Sequence, residues 1–179
     1  MVNRIPDKPA DERTEKAARV RSMFARIVPR YDRVNSVMTF GMDRRWREAA
    51  VELVQPKGGL ALDVATGTGE LAFELAHQGA RRIVGLDFCQ EMMVAAVEKA
   101  SRGGNRSTSG RGRISYVAGD AHRMPFPDDA FDVIVNGFLL RNLVDLPQAL
   151  KEFHRVLKPG GRIACLDVTH PPLALRPLC

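Results

Sequence analysis

Residues 63–72 read DVATGTGELA, where Gly67 and Gly69 follow a short apolar run and precede a stretch with helical spacing. Glycine suits such a turn because a Cβ would block the tight bend and the approach of a ligand to the backbone N–H groups. The preceding run, LALDVA at 60–65, is typical of a strand buried on both faces. This order of strand, glycine turn and helix predicts a ligand-binding edge in an α/β sheet.

Four more short apolar runs follow along the chain, with helical stretches between them. The runs lie at 82–87, 114–119, 131–136 and 162–168, and helices are predicted near 70–77, 90–101 and 147–157. Strands that alternate with helices pair in parallel through right-handed crossovers. The predicted fold class is therefore α/β, with a doubly wound, Rossmann-like and mostly parallel sheet of five strands.

The first 58 residues show no strand pattern. The spacing of apolar residues predicts one helix over 11–28 and a second over about 43–54. We expect residues 1–58 to form a helical segment on the substrate side of the sheet and residues 59–179 to form the cofactor-binding core. A length of 179 residues suits one structural domain built from both parts.

Composition excludes several classes of protein. The chain is 45% hydrophobic and 27% charged, which is ordinary for a globular protein. No apolar run approaches the roughly 20 residues of a membrane-spanning helix, and residues 1–16 lack the apolar core of a signal peptide. The three cysteines are far apart, so neither a disulfide framework nor a zinc site is expected. We expect a cytoplasmic protein without a bound metal.

The net charge of +6 raises the question of nucleic-acid binding. Residues 101–113 hold four arginines and no acidic residue, so the excess charge is concentrated in one loop-like stretch. This stretch also lacks an aromatic residue on which a base could stack. A solvated loop is the favoured interpretation, and nucleic acid is disfavoured as a partner.

Acidic residues follow the ends of three predicted strands, at Asp63, Asp87 and Asp120. The carboxyl ends of parallel strands meet at one edge of the sheet, where ligands bind. A dinucleotide would bring its pyrophosphate against Asp63 and Glu70, which would repel it. S-adenosylmethionine (SAM) instead brings an ammonium and a sulfonium group, which carboxylates attract. The charge pattern therefore favours SAM.

SAM is the predicted cofactor, as methyl donor and with no metal. We expect Asp87 to accept hydrogen bonds from the ribose hydroxyls, and Asp120 with Ala121 to meet the adenine amino group. The predicted cofactor-binding residues are Asp63, Thr66, Gly67, Gly69, Asp87, Asp120 and Ala121. Each carboxylate taken alone also has a structural alternative. Asp63 could cap loop amides, Asp87 could cap a helix, and Asp120 could be a turn residue.

Other segments resemble the ubiquinone/menaquinone biosynthesis C-methyltransferase family, which belongs to the class I SAM-dependent methyltransferases. The segments are YDRVNSVMTFG at 31–41 followed by Trp46, PFPD at 125–128, LRNL at 140–143, and RVLKPGGR at 155–162 continuing to Asp167 and Thr169. The resemblance covers roughly residues 20–170. It departs at Leu139, because the family usually has a glycine directly after the phenylalanine that is Phe138 here.

The resemblance implies methyl transfer to a ring carbon of a prenylated quinol, either demethylmenaquinol or the related ubiquinone precursor. It implies that Tyr31 and Asn142 orient the quinol hydroxyls. A phenolate makes its ortho carbon nucleophilic, so a cation beside it promotes the reaction, and Arg141 is the candidate. Arginine is not an ordinary base, so water or another residue takes the proton. The predicted catalytic residues are Arg141, Tyr31 and Asn142.

Two alternatives stay open, a SAM-dependent methyltransferase of another small molecule and an inactive SAM-binding fragment. Only residues 169–179 follow the fifth run, whereas methyltransferases of this class continue with a helix and two more strands. We therefore expect a C-terminally truncated sheet whose last two strands are missing. The exposed edge of the fifth strand would then need cover, for which an oligomer is one means. A lipid-like quinol also implies peripheral contact with the inner face of the membrane.

Overall fold

The computed structural model describes residues 10–56, 58–102 and 112–168. Three helices precede a five-stranded sheet, and three more connect its strands. The helices are α1 (Ala10–Ile27), α2 (Tyr31–Met38), α3 (Met42–Val54), α4 (Glu70–His77), α5 (Gln90–Ser101) and α6 (Leu146–Val156). The strands are β1 (Leu60–Val64), β2 (Arg82–Asp87), β3 (Arg113–Ala118), β4 (Phe131–Gly137) and β5 (Leu157–Leu166).

The sheet has the order β3-β2-β1-β4-β5, and every pair of neighbouring strands is parallel. The chain starts at the centre with β1, runs outward to β3, and then returns to the other side of β1 to form β4. The order therefore reverses between β1 and β4, and the carboxyl ends of such strands border a crevice where ligands bind. The predicted α/β doubly wound fold is confirmed.

Helices cover both faces of the central strands. On one face, α3 and α4 pack on Ala61 of β1 and Val133 of β4. On the other face, Phe153 of α6 packs with Leu62 and Ile134. Because successive strand residues point to opposite faces, β1 needs apolar residues without alternation, as its sequence shows. Through α3, the amino-terminal segment contributes to the same core as the sheet.

The prediction was wrong about where the last strand begins. β5 begins at Leu157 and not at residue 162, because α6 ends at Val156 and the next residues pair with β4 directly. The pairing shifts register there, with Phe131 opposite Leu157 and Val133 opposite Arg162. A bulge of this kind places extra residues in one strand without ending the ladder.

The helix α2 was not predicted as a separate element. The predicted cap of α6 is present, since Asp145 Oδ1 accepts a hydrogen bond from the Gln148 amide at 3.0 Å. Expectations about residues 103–111 and 169–179, including Thr169, lie outside the described residues. Across the described ranges, no helix has both the length and the hydropathy to cross a bilayer.

Candidate active site

A cavity of about 430 Å³ lies at the carboxyl ends of the strands. The loops after β1, β2, β3 and β4 form its floor and one side, and residues of α1 and α2 form the other side. Its volume is within the range of small-molecule sites in proteins. Six predicted site residues line it, namely Tyr31, Gly67, Asp87, Asp120, Ala121 and Asn142.

The two glycines of the turn after β1 have different functions. Gly67 has a φ of +55° and would place a Cβ in open space, so its backbone faces the cavity without obstruction. Gly69 has a φ of +87°, and a Cβ there would come within 2.9 Å of Tyr116 Oη. Gly69 is therefore required for the close packing of α4, and it does not line the cavity.

Asp87 joins the glycine turn to the start of α5. Its Oδ2 accepts a hydrogen bond from the Gly67 amide at 2.8 Å, and its Oδ1 accepts one from the Cys89 amide at 2.8 Å. Burial raises the pKa of this carboxyl, although the backbone hydrogen bonds oppose the rise. Each carboxylate oxygen has a further lone pair. Asp87 can thus hold the turn and still accept hydrogen bonds from a ligand in the cavity.

Asp63 lies beneath the turn and not in the wall of the cavity. Its side chain is 1% exposed, and its Oδ2 accepts a hydrogen bond from Thr66 Oγ1 at 2.7 Å. Its Oδ1 has no partner within the described part of the chain. Burial is the main cause that raises the pKa of Asp63 to about 7. A buried carboxyl with an unpaired oxygen favours a nearby cationic group of a ligand. Thr66 holds this carboxyl and, like Asp63, is buried.

A histidine orders the loop after β3. His122 Nε2 accepts a hydrogen bond from the Asp145 amide at 3.2 Å, so the ring proton is on Nδ1, which lies 2.6 Å from Asp120 Oδ1. This hydrogen bond is the main cause that lowers the pKa of Asp120. Both ring nitrogens are therefore engaged. The Asp120 carboxylate remains 64% exposed at the cavity, beside Ala121.

A charged network that sequence reasoning missed ties the amino-terminal helices to the glycine turn. Lys99 of α5 donates to Asp32 of α2 at 2.7 Å and also to Glu70 of α4. The other oxygen of Asp32 accepts a hydrogen bond from Thr68 Oγ1 at 2.6 Å. Burial alone would lower the pKa of Lys99, but the two carboxylates outweigh it and raise that pKa. The one sign of this network in the sequence was the position of Asp32 in the segment at 31–41 that resembles the family.

Apolar and aromatic side chains form the wall contributed by α1 and α2. Val20 and Phe24 line the cavity, and the Phe24 ring lies edge-on to Tyr31 with 5.9 Å between centroids. Asn142 also lines the cavity, and its Nδ2 donates to Phe138 O at 2.9 Å. The structure therefore brings Tyr31 and Asn142 to the same cavity. Trp46 is not among the lining residues.

Arg141 is the one predicted catalytic residue that does not line the cavity. Its guanidinium lies 3.1 Å from Asp167 Oδ1 and 5.4 Å from the centre of the Phe138 ring, with half of the side chain exposed. The expected contact between Arg141 and a phenolate thus has no support from this placement, because an acidic partner after β5 already holds the guanidinium.

A doubly wound parallel sheet with a glycine turn after its first strand and acidic residues at the ends of three strands is typical of the class I methyltransferase fold. One similar solved structure is a putative SAM-dependent methyltransferase from Methanococcus maripaludis, which is 26% identical with a TM-score of 0.65, covering 79% of this chain and 63% of that one. Another is the [4+2]-cyclase SpnF, 32% identical with a TM-score of 0.62, covering 73% of this chain and 47% of that one. The fold thus accommodates more than one chemistry.

The profile of the ubiE/COQ5 methyltransferase family matches residues 12–176, and the chain belongs to this family. The ubiquinone/menaquinone biosynthesis C-methyltransferase UbiE of Geobacter sulfurreducens is 44% identical over 161 residues, which is 88% of this chain and 61% of the relative. The demethylmenaquinone methyltransferase of Roseiflexus castenholzii is 44% identical over 159 residues, 88% of this chain and 63% of the relative. The chain therefore spans somewhat less than two thirds of the length of these relatives.

Proposed function

We propose that the protein takes part in SAM-dependent C-methylation of a prenylated quinol, either demethylmenaquinol or the related ubiquinone precursor. The observation that supports this most is the family match over residues 12–176. Relatives named for this step of quinone biosynthesis share 41–44% of their residues with the aligned part of the chain. The cavity adds support, because it joins acidic strand ends to an apolar wall.

The residues at the strand ends fit SAM, which supplies a methyl group activated by a sulfonium. The outward lone pairs of Asp87 suit the ribose hydroxyls, and Asp120 with Ala121 suits the adenine edge. Asp63, buried beneath the turn, suits an ammonium group in the cavity through its charge, since a nearby positive charge would offset the cost of burying the carboxylate. We assign these residues to the cofactor.

The wall formed by α1 and α2, together with Asn142 of the loop after β4, fits the acceptor. Val20 and Phe24 offer apolar surface to an isoprenoid tail, while Tyr31 and Asn142 offer hydrogen-bonding groups to the ring hydroxyls. Holding the ring carbon in line with the methyl group lowers the barrier by orientation. We assign the hydroxyl proton to water, because both ring nitrogens of His122 are already engaged and arginine is not an ordinary base.

A prenylated quinol resides in the bilayer, so we place the protein in the cytoplasm with peripheral contact at the inner face of the membrane. The outer edge of β5 also calls for cover, because among the described strands β5 pairs only with β4 and its other side has no neighbouring strand. We propose that a second chain or a segment outside the described residues packs along this edge.

The test is incubation with methyl-labelled SAM and separate pools of demethylmenaquinol, a ubiquinone precursor and RNA. We expect label in a quinol and none in RNA. The Asp87→Ala variant should lose transfer, whereas Asp129→Asn, which alters an exposed carboxylate in a turn, should retain it. Label in RNA would overturn the proposal. SAM binding by calorimetry without transfer to any quinol would also overturn it and would favour the inactive SAM-binding alternative.

A further inference from the structure

An exposed apolar surface lies at the junction of α2 and α3, far along α2 from the cavity. Val37 is 74% exposed, Met38 75%, Phe40 94% and Met42 46%. We call these four residues the α2–α3 tip. Single exposed apolar residues are common on proteins, but four large ones within six positions form a patch of the kind that marks an interaction site.

The backbone holds this tip in a defined shape. Phe40 has a φ of +51°, which is unfavourable for a bulky side chain, and Gly41 follows with a φ of +73°. The Thr39 hydroxyl stabilises the turn, with its oxygen 2.8 Å from Asn35 O and 3.1 Å from Asp43 Oδ1. Strain of this kind persists where the surroundings enforce it. The turn therefore keeps the Phe40 ring pointing into solvent.

The charge around the tip is positive. Arg33 of α2 and Arg44 and Arg45 of α3 are exposed beside it. The acidic side chains nearest in sequence are already paired, Asp32 with Lys99, Asp43 with Arg47 and Glu48 with Arg44. Apolar side chains with a basic border are typical of a segment that enters the interface of an anionic membrane.

We propose that the α2–α3 tip docks the protein on an anionic lipid bilayer, with Phe40 and Met38 entering the interface and Arg33 and Arg45 meeting lipid phosphates. The inference deepens the proposed function and rests on it for the lipid nature of the substrate. Since α2 has eight residues, it spans about 12 Å from the tip to Tyr31 at the cavity. Docking at the tip would place the apolar wall of α1 and α2 near the bilayer. A prenyl tail could then pass from the bilayer into the cavity along this wall.

The test is co-sedimentation of the full chain with vesicles of phosphatidylcholine alone or mixed with phosphatidylglycerol, in the absence of SAM and quinol. We expect binding to the mixed vesicles and roughly tenfold weaker binding after Phe40→Asn with Met38→Gln. Asparagine tolerates a positive φ, so the turn should persist. The matched control is Leu53→Gln, which removes an apolar side chain about as exposed as Met38, 73% against 75%, from the far end of α3.

Charge variants provide a second, independent arm. Arg33→Gln and Arg45→Gln should each weaken binding to the mixed vesicles about fivefold, whereas Arg82→Gln, which alters an exposed arginine at the amino end of β2, should not. Equal binding by the tip variant and the wild type would overturn the proposal, as would failure of the wild type to bind. The proposal would also be overturned if light scattering showed that the protein self-associates through the tip. Vesicle binding is measured without turnover. A loss of vesicle binding can therefore be distinguished from a loss of methyl transfer, which would test the proposed function.

Discussion

Replacing Asp63 should separate stability from cofactor binding. Its carboxyl is 1% exposed, and burial raises its pKa from 3.8 to about 7. The folded protein therefore holds this proton more tightly than the unfolded chain does. The stability from the protonated form is fully present below about pH 4 and is lost as the pH rises through about 7.

The size of this effect follows from the two pKa values. A rise from 3.8 to about 7 corresponds to roughly 4 kcal/mol over the whole window, of which about 2–3 kcal/mol is lost between pH 5 and pH 8. Asp63→Asn removes the titration, but it buries an amide group in place of the unpaired oxygen, which costs about 1–3 kcal/mol. The variant should be about 1–3 kcal/mol more stable than the wild type at pH 8 and about equal at pH 5.

The assay is urea unfolding of both proteins at several pH values, with Asp129→Asn as the exposed control. A difference in unfolding free energy that stays constant with pH would refute the reasoning, because Asp63 would then not be the titrating group. Calorimetry of SAM binding to both proteins tests the functional role of Asp63. If Asp63 faces the ammonium of SAM, the stabilised variant should bind SAM at least roughly tenfold more weakly.

Three further predictions address the site. Asp87→Ala removes the acceptor of two backbone amides and should weaken SAM binding about 10- to 100-fold in calorimetry, whereas an unchanged Kd would exclude Asp87 from the cofactor site. Lys99→Met should lower the unfolding free energy by about 1–2 kcal/mol, because it removes the cation that pairs with Asp32 and Glu70. The control is Lys151→Met, on the exposed face of α6, and a similar loss in this variant would contradict a specific role for the network around Lys99. Arg141→Ala should change stability by less than about 1 kcal/mol, since half of the Arg141 side chain is exposed to water, and wild-type turnover in the quinol assay would discard its phenolate role.

The architecture was predictable because local patterns encode it. Apolar runs too short for helices, separated by amphipathic stretches, require a parallel sheet covered on both faces. The glycine turn and the Asp145 cap were predictable for the same reason, since each acts within a few residues of itself. The gathering of Gly67, Asp87 and Asp120 at one cavity then follows from the parallel order of the strands.

The boundaries of β5 and the existence of α2 were not predictable in the same way. The stretch before residue 162 contains a proline and two glycines, which indicate a loop, yet pairing with β4 draws it into the sheet through a bulge. Long-range pairing outweighed the local preference there. The helix α2 is only eight residues long and lies between two longer helices, so its identity as a separate element depends on the turns that bracket it.

The sequence by itself determined the fold class, the binding edge of the sheet and the acidic strand ends, because periodicity and turn chemistry are local properties of the chain. The tertiary structure alone decided which polar groups meet. It joined Lys99 to Asp32 across 67 positions, turned Arg141 toward Asp167, and buried Asp63 with one oxygen unpaired. These outcomes depend on distances between elements remote in sequence and on the water removed when they pack, and neither quantity is written in a local pattern.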